Sequence, residues 1–260
     1  MKDQFKPQYN NKHANKQKKE WLSLFGYNAV YEGLINNLKI KKVYLHKEDH
    51  TLLKLIKQKK LEYELHTLKW FDNQYRNNLN HQGFVAEIDT NSLTISFNEF
   101  CEKIKDQQEG IIVVLDQIQD PGNFGGILRS CLAANVLGVI FKKDNQVSIN
   151  NTVIKTSLGA CFYLNLIEVA NLSYAIKDLQ EKYGYWSYVS NLSDEAQDYN
   201  LEYAKKSILI VGNEQKGVSN QLIKNADYQV KIPMYTEKIQ SLNVSVATGI
   251  LLFNMKQQKK

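Results

Sequence analysis

The chain has 260 residues, 43% hydrophobic and 23% charged, the balance of an ordinary globular protein with length enough for two domains. No apolar run approaches the ~20 residues of a membrane span, and the opening MKDQFKPQYNNKHANKQKKE lacks the apolar centre of a secretory signal, so the chain is expected to be cytoplasmic and not a membrane protein. The net charge of +6 sits in the ends: residues 1–20 carry +4 and residues 256–260 carry +3, leaving the body at −1.

Taken in order, residues 1–20 are rich in Asn, Gln and Lys with almost no apolar side chains, and a disordered basic tail is expected there. Such a tail either binds a polyanion through counterion release or only solubilises the chain, and charge alone favours neither. A first α/β unit is expected over 21–90. FGYNAVYEGL (25–34) has helical apolar spacing through Val30, Tyr31 and Leu34. KKVYLH (41–46) reads as a strand, HTLLKLIKQKK (50–60) as an amphipathic helix with Leu52, Leu53, Leu55 and Ile56 inward, and LEYEL (61–65) and GFVAEI (83–88) as strands. Residues 91–106 form a linker, with a short helix expected around 97–104.

A second unit is expected over 107–260. IIVVLD (111–116) is a continuous apolar run, as in a strand buried on both faces of a parallel sheet. Helices are expected at 127–136, 149–160, 172–184, 218–226 and 241–257, with strands at 138–143, 162–170, 185–190, 207–212 and 228–234. This alternation predicts a doubly wound parallel sheet. Cys101, Cys131 and Cys161 are odd in number, form no CxxC pair and are not grouped with His, so buried free thiols are expected rather than a disulfide framework or a metal site.

Three short blocks each begin where a strand-like run ends. They are DQIQDPGNFGGILRS (116–130), IVGNEQKGVS (210–219) and IPMYTEKIQSLNVSVATG (232–249). An α/β enzyme places polar groups in this way at the carboxyl edge of its sheet. In the first, Pro121 and Gly122 turn the chain. Asn123 lies near the start of a helix and Arg129 follows within its first turns, a place suited to an anion; the plainer reading is an N-cap and a solvated arginine. Gly125 and Gly126 allow a close approach. In the second, Gly212 ends a strand and Glu214 follows, to grip a ligand or merely to face water. In the third, Ser241 opens a helix as a cap while Asn243 is either functional or a surface residue. No GxGxxG and no Walker lysine is present, which disfavours an open dinucleotide- or nucleotide-binding sheet.

In order and spacing these blocks resemble the motifs of the SpoU family of RNA ribose 2′-O-methyltransferases, over about residues 107–258. Asn123, Arg129, Glu214, Ser241 and Asn243 match its polar motif positions one by one. FGYNAVYEGL and NHQGFVAEI (80–88) resemble the segments that open and close the family's small RNA-binding domain, which is similar to ribosomal protein L30e, and favour the subgroup acting on guanosine in 23S rRNA. The resemblance implies a SPOUT-type α/β sheet with a C-terminal trefoil knot, S-adenosyl-L-methionine as cofactor near Gly212, Ile232 and Leu242, an RNA substrate, and a homodimer whose active site draws on both subunits. It gives Arg129 a part in activating the ribose hydroxyl. One departure is visible: Tyr235 and Thr236 stand where the family usually has Gly after Ile-Pro-Met, and the span 232–242 is one residue longer than usual. A tRNA-directed enzyme and a non-catalytic RNA binder on the same scaffold are the alternatives.

Overall fold

The computed structural model describes residues 21–75 and 80–258, so the expected basic tail of residues 1–20 lies outside the described residues. The first unit holds β1 (Trp21–Phe25), α1 (Tyr27–Ile35), β2 (Ile40–Leu45), α2 (His50–Gln58), β3 (Tyr63–Leu65), α3 (Leu68–Gln74) and β4 (Phe84–Asp89). Its sheet has the order β1-β4-β2-β3, with β4 antiparallel to both neighbours and β2 parallel to β3. Polar side chains start the helices: Asp49 accepts from the Leu52 amide and Thr67 from the Trp70 amide, which satisfies donors that the first turn leaves free. Leu52 and Ile56 are fully buried on α2, as its spacing predicts. Tyr63 and Leu65 stay exposed because β3 is an edge strand.

A single 3-10 turn (Thr90–Leu93) and α4 (Phe97–Ile104) lead into the second unit. It continues as β5 (Gly110–Asp116), α5 (Pro121–Ala133), β6 (Gly138–Lys142), α6 (Asn151–Thr156), β7 (Leu166–Val169), α7 (Leu172–Tyr183), β8 (Trp186–Ser190), β9 (Gln197–Asp198), β10 (Lys206–Gly212), α8 (Asn220–Asn225), β11 (Tyr228–Lys231) and α9 (Val244–Gln257). The seven strands pair in parallel in the order β7-β6-β5-β10-β8-β11-β9. Alternation along β5 explains its all-apolar sequence. Ile111, Val113 and Leu115 face the cluster that includes Ile127, Leu128 and Leu251, while Ile112 and Val114 face the one that includes Phe100, Ile176 and Leu222. The first cluster runs on through Leu24, Val43 and Ile88, so the two sheets share one buried mass. The Tyr163 hydroxyl donates to Glu32 across the same junction.

Several boundaries differ from the sequence reading: the helix expected at 149–160 spans only Asn151–Thr156 and the strand expected at 228–234 only Tyr228–Lys231, and two further differences bear on function. Helix α5 starts at Pro121, not near residue 127. Asp120 caps it by accepting from the Asn123 amide at 2.6 Å, and proline is favoured at a first helical position because the N–H it lacks would have no partner there. Helix α9 starts at Val244 with Asn243, not Ser241, as its cap. The run 162–170 is a strand only over Leu166–Val169, because a 3-10 turn occupies Ala160–Phe162.

Cys101, Cys131 and Cys161 are all buried and free. Burial pushes the Cys161 thiol up to about 11 and moves Cys131 further in the same direction. Among the described residues no group of His, Cys, Asp or Glu is arranged to hold a metal, and no helix is long and apolar enough to cross a membrane.

One polar knot holds the β8 side of the sheet. The Asp227 carboxylate accepts from the Ser187 amide at 2.7 Å, the Ser187 hydroxyl at 2.8 Å and Gln180 Nε2 at 2.8 Å, and Ser187 is fully buried. Asp227→Ala strands the buried Ser187 donors and is expected to cost about 2 kcal/mol, or ~4–8 °C in Tm. An unchanged melting curve would mean that water replaces the carboxylate.

Candidate active site

Since the large sheet is parallel, the carboxyl ends of β5, β10, β8 and β11 form one edge, and the three sequence blocks follow β5, β10 and β11 there. Asn123 projects from the first turn of α5. Its Nδ2 donates to Glu214 in the loop after β10, and its Oδ1 accepts from Asn243 Nδ2 at 2.8 Å. Asn243 Oδ1 in turn accepts from the Ser245 amide at 2.9 Å and the Ser245 hydroxyl at 2.6 Å. One side chain from each block thus joins a single hydrogen-bonded row. An amide both donates and accepts, and this fixes which way each asparagine faces. The reading of Asn123 as an N-cap is corrected, because Asp120 caps that helix. Asn243 is both a cap and a member of the row.

Arg129 and Ser241 lie outside this row. Arg129 is exposed, and among the described residues it has no ion-pair or hydrogen-bond partner. At 3.6 residues per turn it lies ~9 Å along the helix axis from Asn123 and about a third of a turn around it. Glu214 therefore holds Asn123 in this structure, not Arg129. Ser241 is exposed in the loop before α9.

The glycines of the first block serve packing. A Cβ on Gly125 would lie 1.9 Å from Thr156 Oγ1 of α6, and one on Gly126 would lie 3.1 Å from Ser245 Cβ of α9. They bring α6 and α9 against α5, which seats Asn243 beside Asn123.

Gly212 is buried where β10 ends. A Cβ there would lie 2.4 Å from the Gly217 carbonyl carbon and oxygen and 2.5 Å from the Val218 amide nitrogen. The loop folds back on itself through Asn213 N to Gly217 O (3.1 Å) and Gly217 N to Asn213 O (2.9 Å). Asn213 Oδ1 accepts from the Gln215 and Lys216 amides, its Nδ2 donates to the Gln117 carbonyl at 3.0 Å, and the buried Asp116 carboxylate accepts from the Ser219 amide at 2.8 Å. Sequence reasoning missed Asn213 and Asp116 as the clamps that aim Glu214. The NE dipeptide drew attention to its acid, although an Asn after a strand is a common builder of such turns.

Ile232 and Leu242 bracket the loop from β11 to α9. Both are half-buried, whereas Tyr235 to Ser241 are exposed. Within residues 232–242 a single turn lies at Glu237–Lys238, where the Lys238 amide donates to the Thr236 hydroxyl at 3.3 Å. This exposed stretch shares the carboxyl edge of the sheet with the clamped Gly212 loop. Between them lies the loop after β8, with Leu192 exposed, which the sequence reading did not single out.

Residues 110–253 match the model of the SpoU rRNA Methylase family, and residues 23–93 match that of the RNA 2'-O ribose methyltransferase substrate binding domain. The chain belongs to the SpoU family. This member joins the catalytic unit of an RNA methyltransferase to a substrate-binding unit. It is 49% identical to an uncharacterized tRNA/rRNA methyltransferase of Mycoplasma genitalium, over 93% of this chain and 99% of that one. It is 41% identical to the 23S rRNA (guanosine-2'-O-)-methyltransferase RlmB of Xanthomonas axonopodis pv. citri, over 57% of this chain and 59% of that one. The AdoMet-bound rRNA methyltransferase of Sinorhizobium meliloti superposes with a TM-score of 0.78 at 23% identity, covering 91% of this SpoU chain and 87% of that one. The likeness confirms the SPOUT-type α/β fold expected for the second unit.

Proposed function

We propose that the protein transfers a methyl group from S-adenosyl-L-methionine to the ribose 2′-hydroxyl of a guanosine in 23S rRNA. The observation that carries this reading is the Glu214–Asn123–Asn243 row, which unites all three blocks at the carboxyl edge of the sheet. The guanosine target rests on the similarity to RlmB. When bound, the cofactor supplies a methyl group activated on a sulfonium.

The chain's own part is alignment and charge. The loops at Gly212, Ile232 and Leu242 would hold the cofactor through main-chain groups. Asn123 and Asn243, locked by each other, orient the ribose, and Ser241 lies on the loop that covers it. A guanidinium keeps its charge at any working pH, so Arg129 binds a phosphate and stabilises the developing 2′-oxyanion, while the hydroxyl proton passes to solvent water.

Arg129 stands apart from the row within one chain, which is what a site shared between two subunits requires. Leu132 on α5 and Val246 and Phe253 on α9 leave apolar side chains in solvent on two helices packed together. We take this face as the homodimer contact. The unit over 21–90 is an L30e-like RNA-binding domain, joined through 91–106 to the catalytic domain over 107–260. The passage from β11 to α9 beside the Gly212 loop is the place for a trefoil knot. The protein works in the cytoplasm, with its RNA.

Incubation with S-adenosyl-L-methionine and either a 23S rRNA transcript or a tRNA pool, followed by mapping of 2′-O-methyl groups, tests this reading. One methylated guanosine in the transcript is expected. Methylated tRNA alone would move the target, and cofactor binding without transfer to either RNA would leave a non-catalytic binder.

A further inference from the structure

A cleft of about 680 Å³ lies where the carboxyl ends of β6 and β7 meet the segment leaving the small sheet. Its walls include Asn91 and Ser96 from that segment, Lys142, Lys143 and Gln146 from the end of β6 and beyond, and Glu168 from β7. None of the three sequence blocks lines it. Four observations bear on what it holds.

The first is position. In the strand order β7-β6-β5-β10 the cleft lies on the edge that carries Asn123 and Glu214, one or two strand spacings (~5–10 Å) from the end of β5 and two or three (~10–15 Å) from that of β10. The second is charge. Among the described residues neither the Lys142 nor the Lys143 ammonium has a carboxylate within ion-pair distance, while the body of the chain outside its two ends sums to −1.

The third is a mechanical link. Gln146 Oε1 accepts from the Ile118 amide at 2.7 Å, which ties the cleft wall to the segment between β5 and Asn123, and its Nε2 is buried with no acceptor among the described residues. The fourth is connectivity. One wall, from Thr90 to Phe97, is the segment that joins the substrate-binding unit to the catalytic one, so the cleft borders both.

We propose that this cleft is a subsite for single-stranded RNA beside the target nucleotide, with Lys142 and Lys143 holding backbone phosphates. Glu168, on the β7 wall of the cleft, accepts from the amino edge of a splayed-out base, the kind of contact by which proteins read unpaired RNA. The proposal rests on the RNA methyltransferase reading above and adds to it the path the strand takes.

The test is equilibrium binding of the full chain to a 23S rRNA transcript across a salt series. The variants are Lys142→Glu with Lys143→Glu, the milder Lys142→Ala with Lys143→Ala in case charge reversal unfolds the chain, and a control pair, Lys177→Glu with Lys224→Glu, exposed on α7 and α8. The cleft variants are expected to bind RNA at least tenfold more weakly and to lower the slope of log K against log salt by about 1.4, the value for two phosphates on a single strand. Their S-adenosyl-L-methionine affinity should equal wild type, and the control pair should bind RNA as wild type does. An affinity within twofold of wild type, or an equal loss in the control pair, overturns the subsite while leaving the methyltransferase reading intact. A wild-type chain that binds the cofactor but not the transcript overturns the 23S rRNA target and the subsite with it.

Discussion

Replacing Arg129 with alanine is expected to lower kcat/KM for RNA methylation a hundredfold to a thousandfold while leaving the fold untouched. The two halves of this expectation have separate causes. Arg129 is exposed and bonds to nothing among the described residues of its own chain, so its loss should change stability by no more than ~0.5 kcal/mol. In the proposed mechanism its charge stands beside the developing oxyanion and would lower the barrier by about 3–4 kcal/mol. Arg129→Lys should recover only part of the rate, because a lysine keeps the charge without the planar fork. The measurement is single-turnover methylation of the rRNA transcript beside thermal melting. A rate within threefold of wild type would remove Arg129 from the chemistry, and a large fall in Tm would show a structural role instead.

The second large effect is expected at Gly212. An added methyl group meets the backbone of Gly217 and Val218 at 2.4–2.5 Å, and backbone cannot swing aside as a flexible side chain can. Gly212→Ala therefore has to push the 213–218 loop away from β10. That movement breaks the Asn213–Gly217 pair and draws Glu214 from Asn123, so cofactor binding and methyl transfer should fail together. Overpacking of this kind costs about 1–3 kcal/mol. Calorimetric titration with S-adenosyl-L-methionine should show at least tenfold weaker binding. Glu214→Gln, which leaves the loop path alone, should bind the cofactor as wild type does. Equal binding by Gly212→Ala and wild type would mean that the loop has slack and that its shape does not set the site.

The large sheet was legible because its strands are buried on both faces and so read as unbroken apolar runs, IIVVLD and SILIVG above all. The small unit was read less completely. WLSLF (β1) and LKWFDNQ (α3) are each too short to show a period in the sequence. The start of α5 was hidden because Pro121-Gly122 was read as a stop, although Asp-Pro is also how a capped helix begins. Asn123, Glu214 and Asn243, which the structure brings together, stand out in the sequence because loops at strand ends are marked by Gly, Asn and Ser. Their partnership was not legible. That Asn123 takes Glu214 on one side and Asn243 on the other depends on β10 pairing with β5 and on α9 lying against α5, contacts between residues 91 and 120 apart in the chain. Asn213 and Asp116 escaped for a related reason: their work is done on backbone, which leaves no charge pattern to notice.

The three enclosed cysteines give the protein a built-in clock for its own breathing. A thiol attacks only as thiolate and only when reached, and burial denies both to Cys131 and Cys161. A thiol reagent can then modify them only at moments when the surrounding structure opens. The residues lie at three different places: Cys101 on the helix between the two sheets, Cys131 on the helix that carries Asn123, and Cys161 in the turn two residues before the Tyr163–Glu32 contact. Rates of labelling at each, measured with and without cofactor, would report which part of the molecule loosens first and which part a bound ligand quiets.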